Sequence, residues 1–209
     1  MDLHPNSDEG KVEALAAFGV ADQNLLSMLK NTTLIDKEQL SINFDFNKLR
    51  IFYDLTFLKE QRKKIGDENF CAVVQEYLES TIIEYLDLVH QRYPINNLCL
   101  SGGVAANIIM SLNIYERTNF KNIYVLPPMA DDGLAIGSAI LTAIKYDQDL
   151  RWLKNHSMPY FGDCYSRDEV KSALDIFPDI YYEDLGDDWP KYAAKSVSEG
   201  KILSLIHIS

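Results

Sequence analysis

The sequence predicts an α/β protein, a layered sheet flanked by helices and followed by the start of a second α/β unit. Three observations predict it. A short apolar run ending in a turn and leading into an amphipathic segment occurs twice in succession, at "NNLCLSGGVAANIIMSLNIYER" and "NIYVLPPMADDGLAIGSAILTAIKY". A long amphipathic segment precedes both, and helix and strand patterns alternate again after residue 165. Strand, helix, strand, helix with short connections favours parallel strands joined by right-handed crossovers.

The elements follow in order. "DEGKVEALAAFG" predicts a helix from about Gly10 to Phe18, with acids ahead of it, Val12, Leu15, Ala16 and Phe18 within it, and Gly19 as a stop. Between Leu25 and Lys64 the pattern is mixed: "LSINFDFNKL" alternates as a half-buried strand does, and "FYDLTFLKEQRKK" is helical. Its basic end, Lys59 to Lys64, suits a solvated helix terminus and is assigned no ligand. From Asp67 to Arg92, Phe70, Val73, Val74, Tyr77, Leu78, Ile82, Tyr85, Leu86 and Val89 recur at helical spacing, with Pro94 beyond the end. Two strand–helix pairs come next, the second helix carrying Ile136, Ala139, Ile140, Ala143 and Ile144 on one side.

Residues 151–165 read as a linker. "SRDEVKSALDIF" then predicts a helix capped by Ser166 with Glu169 closing a capping box. "PDIYYEDL" is a predicted strand, "DDWPKYAAKSVSEG" a helix closed by Gly200, and "KILSLI" the opening of a strand. The final "LSLIHIS", residues 203–209, matches the translation of a transposon end used in sequencing libraries and is read as a non-native tail, the alternative being a real strand. The expected organisation is therefore 1–150, a linker at 151–165, the start of a second domain at 166–202, and the tail.

Composition narrows the function. The 209 residues are 47% hydrophobic and 24% charged, ordinary for a globular protein, and no run approaches the roughly 18 apolar residues of a membrane span. "MDLHPNSDEG" lacks the basic and apolar regions of a secretory signal, so a cytoplasmic location is expected. A net charge of −11 disfavours nucleic-acid binding. Cys71, Cys99 and Cys164 are isolated and odd in number, which excludes a simple disulfide framework and a CxxC metal knuckle, and they are read as small core residues.

Two motifs carry the chemistry. In "LCLSGGVAAN" the glycines free the backbone to turn and expose N–H groups ahead of a helix, a geometry suited to an anion; Gly102 and Gly103 equally suit a bare tight turn. Asn107 could turn its amide toward a ribose or acyl group. In "PPMADDGLAIG" Asp131 and Asp132 stand just before a helix, where one could cap it and the other hold a cation. Gly133 and Gly137 would let that helix approach another element. Ligands of parallel sheets bind beyond the carboxyl ends of the strands, where both motifs fall.

Taken together and in this order, "GGVAAN", a helix, a strand, "PP", an aspartate and "GLAIGSA" resemble the ATPase-like domain of the NodU/CmcH-type carbamoyltransferases, which shares the actin/Hsp70/sugar-kinase, ribonuclease H-like fold. "PNSDEGKVEALAAFG" resembles the "P..DEGKVMGLAAYG" segment of that family, keeping Glu9, Gly10, Lys11, Leu15, Ala16 and Gly19. The long helix resembles the family's "DLAASLQ..LE" helix, with Gln75 and Glu79 in the matching places. "YSRDEVKSAL" and "AKSVSEGKIL" resemble the opening of its YrdC-like C-terminal domain.

The resemblance implies an ATP-dependent O-carbamoyltransferase, of which this chain would be a piece: the C-terminal part of the ATPase-like domain and a truncated YrdC-like domain. Carbamoyl phosphate is activated with ATP as a carbamoyl-adenylate, and the carbamoyl group passes to a hydroxyl of a small-molecule or sugar acceptor. Gly102, Gly103 and Asn107 would line the nucleotide and carbamoyl pocket, with Glu9 and Lys11 opposite. Asp131 would be a ligand of a divalent metal, iron or magnesium, and Asp132 the cap. The family's metal-binding histidine pair is not reproduced by His4, His90, His156 or His207, and His90 is read as structural. This chain alone is expected to be inactive. The rivals are a tRNA threonylcarbamoyltransferase-like protein, which shares "GGVAAN", and a non-catalytic nucleotide-binding or interaction domain of the same fold.

Overall fold

A computed structural model of the chain describes residues 8–155 and 164–203. The predicted tail beyond Leu203, part of the linker, and His4, His156 and His207 lie outside these residues. The chain forms two units, 1–159 and 160–209, and the whole is mixed α/β.

In the first unit, α1 spans Glu9–Ala16 and α2 spans Gln23–Lys30. The latter starts on Asp22, whose carboxylate accepts the Leu25 N–H at 2.9 Å, an N-cap hidden in a stretch of mixed pattern. Strands β1 (Thr33–Asp36) and β2 (Ser41–Phe44) pair antiparallel, so the alternation read in "LSINFDFNKL" ends at Phe44. There Asp45 caps a short α3, Phe46–Leu49. After a 3-10 turn, α4 runs Leu55–Ile65, its Lys63 and Lys64 exposed as expected.

Helix α5, Asp67–Arg92, has the predicted bounds and is the spine of the unit. Its N-terminal half packs Ala72 and Val73 against Ala21, Leu25 and Leu26. Its C-terminal half packs Leu86 against Met110, Ile114 and Phe120, beside Leu98, Leu100 and Ile123. The fully buried Val, Leu, Ile, Met and Phe side chains among these contribute about 1.5–3 kcal/mol each. Strands β3 (Asn97–Leu100) and β4 (Asn122–Val125) are parallel, with Leu98 opposite Ile123 and Leu100 opposite Val125. Between them lies α6, Ile108–Arg117, and after β4 comes α7, Gly133–Lys145. The predicted apolar side of α7 is only partly covered: Ile136, Ile140 and Ala143 are half-buried, Ala139 and Ile144 are exposed, and no residue of α7 is fully buried.

Of the three cysteines only Cys71 is a core residue; Cys99 and Cys164 are exposed, because β3 and the 164 segment present them to solvent. Burial pushes the Cys71 thiol up. His90 is structural in the expected sense: its ring meets Phe120 edge to face at 5.1 Å.

The second unit contains α8, Arg167–Leu174, and α9, Trp189–Ser198. Ser166 and Glu169 form the predicted capping box, and Gly200 follows α9 with φ +77. The strand predicted in "PDIYYEDL" does not form: residues 178–185 are turn and irregular backbone, with Tyr181 90% exposed. A β-rich composition makes no strand when no neighbouring strand takes up its backbone hydrogen bonds and no surface covers its apolar face.

Candidate functional site

The site begins where β3 ends. Gly102 has φ +100 and ψ 157, a conformation that disfavours any side chain. Its N–H donates to the Met129 carbonyl at 2.8 Å. That bond ties the turn after β3 to the loop after β4, so the two motifs meet at the carboxyl ends of two hydrogen-bonded parallel strands. Gly103 differs: its φ is ordinary and a Cβ there would meet nothing within 4 Å. Of the two glycines, only Gly102 is demanded by the backbone.

The helix does not leave the turn directly. Residues 103–106 make one 3-10 turn, and α6 starts at Ile108 with Asn107 as its N-cap. Asn107 Oδ1 accepts the Met110 N–H at 2.8 Å. A second N–H of the first turn, that of Ile109, donates to Glu13 Oε1 at 2.9 Å. Two of the donors expected to face an anion are thus already engaged.

Asn107 belongs to a larger network. Its Nδ2 donates to Gln75 Oε1 at 2.8 Å, and Gln75 Nε2 donates to Asn107 Oδ1 at 3.0 Å and to Glu79 Oε1 at 2.7 Å. Asn113 Nδ2 donates to Glu79 Oε2 at 2.8 Å. Gln75 and Glu79 are both buried, and buried polar groups persist where their bonds are complete. The sequence signal for them is positional: Cys71, Gln75, Glu79, Ile83 and Leu86 form the buried stripe of α5, and two polar residues interrupt it.

Glu9 and Lys11 lie exposed on α1, and Lys11 Nζ stands 2.6 Å from Asp8 Oδ1. The residue of α1 that reaches the head of α6 is Glu13, which sequence reasoning passed over.

Beyond β4, the Pro127–Pro128 peptide is cis. A Cβ on Gly133 would come within 2.3 Å of the Pro128 carbonyl oxygen, so the expected close approach occurs there; at Gly137 the space is open. Asp131 and Asp132 are both exposed. Asp132 occupies the N-cap position of α7 but makes no side-chain cap, because its helical backbone (φ −62, ψ −27) directs the carboxylate away from the first turn. Asp132 is therefore not the side-chain cap that the sequence predicts.

A divalent metal takes four or more donors. Among the described residues no group of three or more His, Cys, Asp or Glu side chains is gathered that could hold one. Asp131 supplies a single carboxylate, which does not by itself make a metal site. Among the described residues no helix is long and apolar enough to cross a membrane.

The family described as carbamoyltransferase N-terminus matches residues 1–140. An uncharacterized protein of Methanocaldococcus jannaschii is 46% identical over 204 residues, covering 96% of this chain and 34% of its own length. The nodulation protein NolO of Bradyrhizobium diazoefficiens is 28% identical over 141 residues, 65% of this chain and 25% of that protein. The tRNA N6-adenosine threonylcarbamoyltransferase of Dictyoglomus turgidum is 30% identical over 105 residues, 48% of this chain and 31% of that protein. The chain thus spans about a third or less of each of these relatives.

Proposed function

Because this chain belongs to the carbamoyltransferase N-terminus family, we propose that it is part of an ATP-dependent O-carbamoyltransferase of NodU/CmcH type, working in the cytoplasm. In this reading residues 97–145 belong to a larger actin-like, ribonuclease H-like sheet, and 166–202 open a YrdC-like unit. In the parent protein water would cleave carbamoyl phosphate to carbamate and inorganic phosphate, and a carbamate oxygen would attack the α-phosphorus of ATP, displacing pyrophosphate and leaving the carbamoyl-adenylate. The acceptor hydroxyl oxygen then attacks the carbamoyl carbon of the adenylate, the bond to the AMP oxygen breaks, AMP leaves with the electron pair, and the hydroxyl proton passes to solvent.

Gly102, Gly103 and Asn107 line the nucleotide and carbamoyl pocket, with Glu9 and Lys11 beside it. Of the turn's N–H groups, those of Gly103 and Val104 take no acceptor among the described residues, and they would stabilise charge that builds on phosphate and carbamoyl oxygens. Asp131 would be one ligand of a divalent cation, iron or magnesium, whose other ligands would come from elsewhere in the parent protein and which would supply Lewis-acid chemistry there. The observation that carries the reading is the Gly102 N–H to Met129 carbonyl bond, which holds the donor-bearing turn and the carboxylate-bearing loop at one rim.

The test is calorimetric titration of ATP into the 209-residue chain, with a parallel assay of ATP and carbamoyl phosphate turnover. Binding without turnover is expected. Absence of ATP binding would count against the nucleotide pocket, and turnover by this chain alone would contradict its assignment as part of a larger catalyst.

A further inference from the structure

The polar network on α5 has a fixed direction. At one end the Met110 N–H requires an acceptor, so Asn107 must turn Oδ1 toward it. At the other end the Glu79 carboxylate requires donors, so Gln75 must turn Nε2 toward it, at 2.7 Å. Flipping both amides together would set Asn107 Nδ2 against the Met110 N–H and Gln75 Oε1 against Glu79 Oε1. Both contacts would be repulsive. The reciprocal Gln75–Asn107 amide pair therefore has one polarity, and Asn113 anchors it from the far side of Glu79.

We propose that Gln75, oriented by Glu79, is a positioning residue that locks the Asn107 amide with its oxygen inward and one Nδ2 hydrogen outward, so that the glycine turn meets its ligand at Asn107 as a donor. The inventory supports this. Asn107 Oδ1 already accepts two hydrogen bonds, one Nδ2 hydrogen goes to Gln75, and no described residue takes the other. In a cyclic amide pair the remaining hydrogen points away from the partner, and Asn107 is only half-buried. The ligand atom opposite it is then an acceptor oxygen of a phosphate, carbonyl or carbamoyl group, and a group with donors only, such as an ammonium, is excluded. This rests on the reading of the Gly102–Asn107 turn as the ligand-bearing rim.

The experiment follows the 15N-labelled 209-residue chain by NMR, with ATP as the probe. The Asn107 side chain is expected to give two well-separated, slowly exchanging proton resonances, of which ATP shifts one. Gln75→Met should collapse that separation and weaken ATP binding roughly ten-fold, about the effect of one hydrogen bond. Asn107→Ser retains a cap for Met110 and removes the amide; it should weaken ATP binding to a similar degree while unfolding stays cooperative, which keeps the test open should Gln75→Met fold poorly. If Gln75→Met leaves both Asn107 resonances in place, the positioning role is overturned. If ATP shifts the backbone amides of 102–107 and leaves the Asn107 side chain unmoved, the donor role is overturned and the site reading stands. If ATP shifts nothing between 101 and 107, the site reading fails and the donor role with it, while the Gln75→Met comparison still decides the positioning role.

Discussion

Glu13 Oε1 accepts the backbone N–H of Ile109 at 2.9 Å, a bond between residues 96 positions apart. It fastens α1 to the head of α6, immediately after the turn that carries Gly102 and Asn107.

Removing that acceptor should loosen the turn before it loosens the core. Glu13→Ala is expected to cost about 1 kcal/mol, the usual value of a lost helix-capping bond, and Glu13→Gln much less because an oxygen remains. Hydrogen exchange at Ile109 measures it: faster exchange in the alanine variant and near-normal exchange in the glutamine variant are expected.

Two glycines in one helix should respond oppositely. A Cβ at Gly133 lies 2.3 Å from the Pro128 oxygen, whereas Gly137 faces open space. Gly133→Ala should therefore destabilise by roughly 1–3 kcal/mol through forced displacement of the loop. Gly137→Ala should stabilise by about 0.5–1 kcal/mol, as expected for replacing glycine inside a helix. Chemical denaturation of the two variants separates these signs.

A second close approach fixes the entry to α5. A Cβ on Gly19 would sit 2.1 Å from the Glu68 carbonyl oxygen, and the next N–H, that of Val20, donates to Asn69 Oδ1 at 2.7 Å. Gly19→Ala should lower the unfolding midpoint by several degrees. A midpoint unchanged from wild type would refute the close approach.

The junction of α4 and α5 should titrate. Arg62 Nε lies 2.5 Å from Asp67 Oδ1, and this hydrogen bond holds the Asp67 carboxyl below its ordinary value of 3.8. A depressed folded-state value gives stability that is fully present above the ordinary carboxylate range and is lost as pH falls through the lower folded value. Asp67→Asn should accordingly unfold at a lower temperature than wild type at pH 7, with the gap closing below about pH 4. A gap independent of pH would show that the pair contributes no such linkage.

Much of this was legible in the sequence. The helix 67–92 and the two strand–helix units carry strong periodicity, and the Ser166–Glu169 capping box is a local signal complete within four residues. What was missed depends on distant partners. The α2 cap at Asp22 sits among polar neighbours that hide it, and β1 exists because β2 pairs with it. Tyr181 and Tyr182 have strand chemistry, but no strand among the described residues pairs with them. At the site, glycine at position 102 was readable, whereas the roles of Glu13 and Gln75 arise only when α1, α5 and α6 converge. Asp132 illustrates the opposite error, a residue type that suits a cap in a backbone conformation that withholds it.

In the proposed function the turn at Gly102 and the loop at Asp131 form one ligand-binding rim, joined through the Met129 carbonyl. Backbone amide shifts of the whole chain, recorded while a non-hydrolysable ATP analogue is added, decide whether the rim is shared. Residues 102–107 and 129–132 are expected to shift together with one dissociation constant; shifts in only one of these segments, or in neither, would rule the shared rim out.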